Sequence, residues 1–127
     1  MIEFVTGNHA NVLAPGELLR SIHLPATALK KTFAFRRFTL THLGRSEVLL
    51  IGTRCPEQGA FLLTITAATL RPVQLRFESV PSSKEVKDAI DKAVPFDLYL
   101  DDTHGSPVHR KHVAYYFAEQ IREELSA

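Results

Sequence analysis

Tryptophan is absent and cysteine occurs once, as Cys55, in a chain of 127 residues. One thiol excludes an internal disulfide and any multi-thiolate zinc or iron–sulfur centre built by this chain alone. That usage fits a reducing, cytoplasmic setting. No apolar run approaches the roughly 18 residues that span a bilayer, and the opening MIEFVTGNHAN has neither the basic region nor the apolar stretch of a signal peptide, so no membrane partner is expected. Charge of one sign is lacking too. Fifteen Lys and Arg against fourteen Asp and Glu leave a net charge of +1, which argues against a dedicated nucleic-acid binder. There is no G-x-S-x-G, no Walker loop and no G-x-G-x-x-G, so the chain brings no phosphate cradle of its own.

What is present is the composition of a folding chain. Hydrophobic residues make up 45% and charged residues 23%, enough to bury a core. At roughly 100–200 residues per domain, residues 1–127 are expected to be a single domain, or one cut from something larger.

Strand signals come first along the chain. ELLRSIHL, between Pro15-Gly16 and Pro25, reads as a strand from Glu17 to Leu24. KTFAFRRF gives a second from Thr32 to Phe38, with Phe33 and Phe35 on one face, expected in the core, and Ala34 and Arg36 on the other. VLLIGT predicts a third over residues 47–53. CPEQGA is a turn, after which Phe61, Leu63 and Ile65 alternate with Leu62, Thr64 and Thr66 as a hairpin partner. VQLRFE, with Val73, Leu75 and Phe77 inward, extends that strand or makes a fifth. Helices follow. Ser82 and Glu85 form a capping box, and Val86, Ala89, Ile90 and Ala93 recur at i, i+3, i+4 and i+7. Ser106 caps a last helix with Pro107 at its first position, running to about Leu125 with Ala114, Phe117, Ala118, Ile121 and Leu125 in one apolar stripe. The expected fold is therefore α+β: an antiparallel sheet of three to five strands followed by helices packed on one face.

Three groups of residues can carry chemistry. Asp101, Asp102, His104, His109 and His112 have ligand-type side chains near a helix start, but match no strong metal pattern; capping and solvated polar groups explain them, and no metal is assigned. Cys55, beside Arg54, has no histidine close in sequence to activate it. Lys30, Lys31, Arg36, Arg37, Arg45 and Arg54 face the single acid Glu47 in 25 residues, a local net of +5 that can attract a phosphate, an acidic surface or, with Phe33 and Phe35 as stacking platforms, RNA; strand-flanking solubility is the simpler reading.

Two segments go beyond generic patterning. VLAPGELLRSIHLP followed by FAFRRF resembles the opening of the C-terminal domain of the FAD-binding (medium) subunit of the molybdenum hydroxylases, the carbon monoxide dehydrogenase and xanthine dehydrogenase flavoprotein family. DDTHGSPVHRKHVAYYFAEQIREEL is similar to that domain's end, with Gly105-Ser106 before a closing helix carrying Arg110, His112 and Ala114 in an R-x-H-x-A spacing. The two segments stand in order and span nearly the whole chain.

The resemblance implies a module that packs beside FAD and supports electron transfer between iron–sulfur clusters, FAD and an acceptor. It implies as partners the FAD-cradling domains, which these 127 residues do not include, an iron–sulfur subunit and a molybdopterin subunit. By position it implies Arg36 and Arg45 as flavin-proximal, the latter in the charged loop Gly44-Arg45-Ser46-Glu47. Two departures stand out: Glu47-Val48-Leu49-Leu50 replaces an Asp-Ile-Ala type run, and Ala67-Ala68-Thr69 replaces a frequent glycine pair. On the resemblance the chain is a fragment or a separately encoded remnant. The alternative is a free-standing protein-interaction module of the same fold with no redox role.

Overall fold

A computed structural model describes residues 3–127. A short hairpin, β1 (Val5–Gly7) and β2 (Ala10–Asn11), opens the chain. After a long irregular stretch and a 3-10 turn at Ala26–Lys30, a four-stranded sheet forms from β3 (Thr32–Phe38), β4 (Val48–Arg54), β5 (Phe61–Thr66) and β6 (Val73–Phe77). Its strand order is β3-β4-β5-β6 and every pairing is antiparallel, so consecutive strands are neighbours in a meander. Two helices follow, α1 (Ser83–Ala93) and α2 (Pro107–Ser126). The expected α+β fold, with the helices on one face of the sheet, is the fold observed.

The caps set both helix starts. Ser82 Oγ accepts the Glu85 N–H at 3.3 Å while Glu85 Oε2 accepts the Ser82 N–H at 2.7 Å, closing the capping box, and Ser106 Oγ accepts from His109 N ahead of Pro107. Helix α2 lies across β3 and β4, α1 lies against β6, and the two helices touch. Leu50, Phe61, Leu63 and Ile65 from the covered sheet face meet Ile90, Ala114, Ala118 and Ile121 from the helices. Burying each large aliphatic of this set is worth roughly 1.5–3 kcal/mol. Gly52 lets α2 come close: a Cβ there would sit 2.2 Å from Ile121 Cγ2 and 3.1 Å from Leu125 Cδ1.

Three expectations are corrected. Residues 17–24 form no strand, and Leu18 is 78% exposed and Leu24 73%. Apolar composition between turn signals satisfies a strand pattern, but no neighbouring strand takes up its backbone groups. Phe33 and Phe35 are not core: they are 66% and 55% exposed, whereas Ala34 between them is buried. The helices chose the other face of β3, where a small residue admits α2. The third strand begins one residue later than expected, at Val48, which leaves Glu47 in the preceding loop. The β1–β2 hairpin has no counterpart in the expected strands.

The connection between the helices is also more ordered than its composition suggests. It folds a 3-10 turn at Phe96–Leu98 and then runs antiparallel to residues 68–70, with Leu70 N donating to Leu98 O and Leu100 N to Ala68 O, both at 2.9 Å. That pairing brings residues 101–106 against the end of β5 and the start of β4.

Candidate functional site

Arg110, in the first turns of α2, is 1% exposed and sits where four segments converge. Its Nε donates to Gly105 O at 3.1 Å, Nη1 to Ala67 O at 3.0 Å and to Glu47 O, and Nη2 to Asp102 Oδ1 at 2.6 Å. A buried guanidinium with a paired carboxylate and three carbonyl acceptors is a satisfied cation, and its rigid fork fixes the segments it joins. Burial pushes the Asp102 carboxyl up, but the His104 N–H at 2.8 Å and the Arg110 guanidinium outweigh it and hold the group below its ordinary value. Ala67 adopts a left-handed backbone, φ 63°, which turns this corner at a steric cost.

Glu47 lies beside this knot and is 1% exposed. Neither carboxylate oxygen makes a hydrogen bond among the described residues, and His109 Nε2 stands 3.4 Å from Oε1, near enough to pair when the imidazole is protonated. The His109 ring meets Phe38 edge-on, 5.6 Å between centroids. Gly105 is required here, because a Cβ would fall 1.8 Å from Glu47 Oε1. The knot therefore anchors the loop that leads from β3 to β4, and that loop carries Arg45.

The two arginines implied near a flavin stand in different settings. Arg36 is on the helix-covered face of β3, where Nε donates to Gln120 Oε1 at 3.1 Å and Nη2 to Glu124 Oε2 at 2.5 Å on α2. Arg45 is exposed and donates to Asn8 Oδ1 at 2.9 Å, tying the β3–β4 loop to the β1–β2 turn. They share no hydrogen-bond partner. The basic stretch divides in the same way: Arg54 turns toward the end of α2 and donates to Leu125 O at 2.9 Å, while Arg37 is exposed and donates to Ser46 Oγ at 2.8 Å.

The five ligand-type residues near α2 are not gathered. Asp102 is taken by Arg110 and the His104 N–H, His109 faces Glu47, and His112 is exposed beside Phe38 and Tyr116. Among the described residues no three His, Cys, Asp or Glu side chains are placed to hold a metal ion. Cys55 lies in the β4–β5 turn, its carbonyl accepting from Gly59 N at 2.8 Å, on the edge of a cleft of about 610 Å³ with Lys30, Lys31 and Arg76. Among the described residues no helix is long and apolar enough to cross a membrane.

Composition and periodicity gave no sign of Glu47 or Arg110 as buried charges; only the resemblance singled out Arg110. A spacing argument cannot find it, since its acceptors come from residues 47, 67, 102 and 105.

No family model and no curated protein matches the sequence. Among solved structures the chain is similar to quinoline 2-oxidoreductase from Pseudomonas putida 86, with a TM-score of 0.69 and 20% sequence identity. The likeness covers 97% of this chain and 46% of that one. The chain thus spans just under half the length of the chain it matches, and at this identity the two share a fold.

Proposed function

We propose that this chain is the C-terminal module of the flavoprotein part of a molybdenum hydroxylase, a structural element of an oxidoreductase that works on a flavin held by its partner. The observation that carries the reading is the coincidence of two independent signals. The terminal segments of the sequence resemble the two ends of that domain, and the fold matches one oxidoreductase chain along 97% of this chain. The partners would be FAD-cradling domains, an iron–sulfur subunit and a molybdopterin subunit.

The residues present suit contact with a flavin better than possession of one. The sequence has no phosphate cradle, and Lys30 and Lys31, which line the 610 Å³ cleft, are both exposed. FAD in the parent assembly would relay electrons between the iron–sulfur clusters and the acceptor. What this chain adds is position and charge. Arg45 has an exposed guanidinium on a loop anchored at Glu47 by Arg110, so it can lie against negative charge on a neighbouring flavin. Arg36 would reach one only by giving up Gln120 and Glu124, and in the reading offered here it positions β3 against α2.

The coding segments flanking this chain test the reading. Adjacent segments with FAD-cradling, iron–sulfur and molybdopterin signatures are expected; a neighbourhood holding none of them would count against it. A tight stoichiometric FAD complex of this chain by itself would contradict the assignment of the cradle to a partner.

A further inference from the structure

The uncovered face of the four-stranded sheet has a composition at odds with exposure to water. The register pairs Phe35 of β3 with Ile51 of β4, Phe33 with Thr53 and Arg37 with Leu49, and Leu62 of β5 lies across Thr53 from Phe33. Phe33, Phe35 and Ile51 are exposed and the two leucines half-buried. Both helices pack on the opposite face, and the β1–β2 hairpin reaches this one only near Thr66, at one end. Around this apolar centre the charges are mostly positive, with Glu78, just past β6, the acid that lies among them. Arg37 and Arg76 are the charged residues at outward strand positions, Lys31 precedes β3 in the same phase, and no acidic residue occupies any outward position of β3, β4, β5 or β6. Leading into β3 is the unpaired segment with Leu18, Leu19, Ile22 and Leu24 all exposed. Exposed apolar side chains of this kind, with a charged rim, mark a protein interface.

We propose that this sheet face, extended by the segment before β3, is the docking surface for a protein partner with an apolar centre and an acidic rim; resting on the reading above, that partner is the flavin-holding part of the enzyme. Charge chooses the occupant. A second copy meeting this face would set Lys31, Arg37 and Arg76 against their own kind, and like charges across an interface are unfavourable. RNA would suit the cations and the phenylalanines, but gives Leu49, Ile51, Leu62 and the leucines of the preceding segment nothing to stack on. The matched oxidoreductase chain has more than half its length outside the shared fold, so a large body is available to cover such a face.

The test is made on the full chain, tagged and recovered from its native host, with lysine-reactive cross-linking, light scattering and flavin assay. The expected result is a stoichiometric flavin-containing complex with cross-links from Lys31. In F35D/I51D, partner recovery falls at least tenfold without loss of melting temperature, since both side chains already face water; R37E/R76E weakens recovery and removes most of its salt dependence. Y116S, on exposed α2 surface, retains the partner. If F35D/I51D keeps its partner, or cross-links map to α2 instead of Lys31, the docking surface is wrong even though flavin in the complex would leave the functional reading intact. A stoichiometric partner that lacks flavin, cross-links to Lys31 and is lost in F35D/I51D upholds the surface and overturns the functional reading. Recovery of the chain by itself, as a homodimer or with RNA overturns the surface. Where F35D/I51D melts lower than the unsubstituted chain, the cross-link map of the latter decides.

Discussion

Arg110 illustrates how one side chain can hold several segments whose own contacts are sparse. Arg110→Ala would take the guanidinium away from the carbonyls of Glu47, Ala67 and Gly105 and from the Asp102 carboxylate, which would keep the His104 N–H, at a cost of about 3–5 kcal/mol. Arg110→Lys should recover little of this, because a single ammonium cannot span acceptors that the guanidinium meets from three nitrogens. Urea unfolding midpoints of both variants check it, and a Lys variant close to the unsubstituted chain would show that charge alone suffices. Ala67→Gly should act in the opposite direction. Relief of a left-handed alanine, roughly 1–2 kcal/mol, exceeds the added chain entropy of glycine, roughly 0.5–1 kcal/mol, so the variant should melt higher.

Acid sensitivity also belongs at this scale. Asp102, Asp91 and Glu119 are all held below their ordinary values: Asp102 by the His104 N–H and Arg110 despite its burial, Asp91 chiefly by Lys111, and Glu119 chiefly by Arg122. A carboxyl lowered in the folded state binds its proton more readily when unfolded. Its contribution is therefore complete above the unfolded value, near pH 4, and is lost as pH falls from there through the lowered folded values. Unfolding midpoints should be level from neutrality to about pH 4.5 and decline below it. Asp102→Asn should start lower and decline less steeply; an unchanged acid limb would show that this pair does not couple to folding.

Among the elements, the fit of α2 on the sheet depends on small residues. Gly52→Ala would drive a methyl into Ile121 and Leu125, and overpacking of that kind costs about 1–3 kcal/mol. A thermal melt reads the loss; a neutral result would mean that α2 lifts away freely. The elements differ in how far they can be read from sequence. The bounds of β3, the capping box at Ser82 and the Ser106-Pro107 start of α2 depend on local chemistry and stand where local reasoning puts them. Phe33 and Phe35 do not, because alternation divides a strand into two faces without saying which one a distant helix will cover. Ala34 looks the poorer core residue, yet its size is what lets α2 approach. The segment at 17–24 fails for a related reason: its leucines fit a strand pattern, but pairing requires a partner that the sheet does not offer.

Taken whole, the molecule has one face of its sheet finished by helices and the other left apolar and cationic. The site is less legible than the fold. Arg45 could be placed on a loop from sequence, but its anchoring through Glu47 and Arg110 depends on contacts among residues far apart in the chain. Alternation already sends Arg36 and Arg37 to opposite sides of β3; what was hidden is which side α2 covers. On the proposed reading, that uncovered face is completed by another protein. The most direct measurement of that claim is the flavin, iron and molybdenum content per chain of the assembly recovered from the native host. Near-stoichiometric FAD together with iron and molybdenum is expected; a recovered chain carrying none of the three would contradict it.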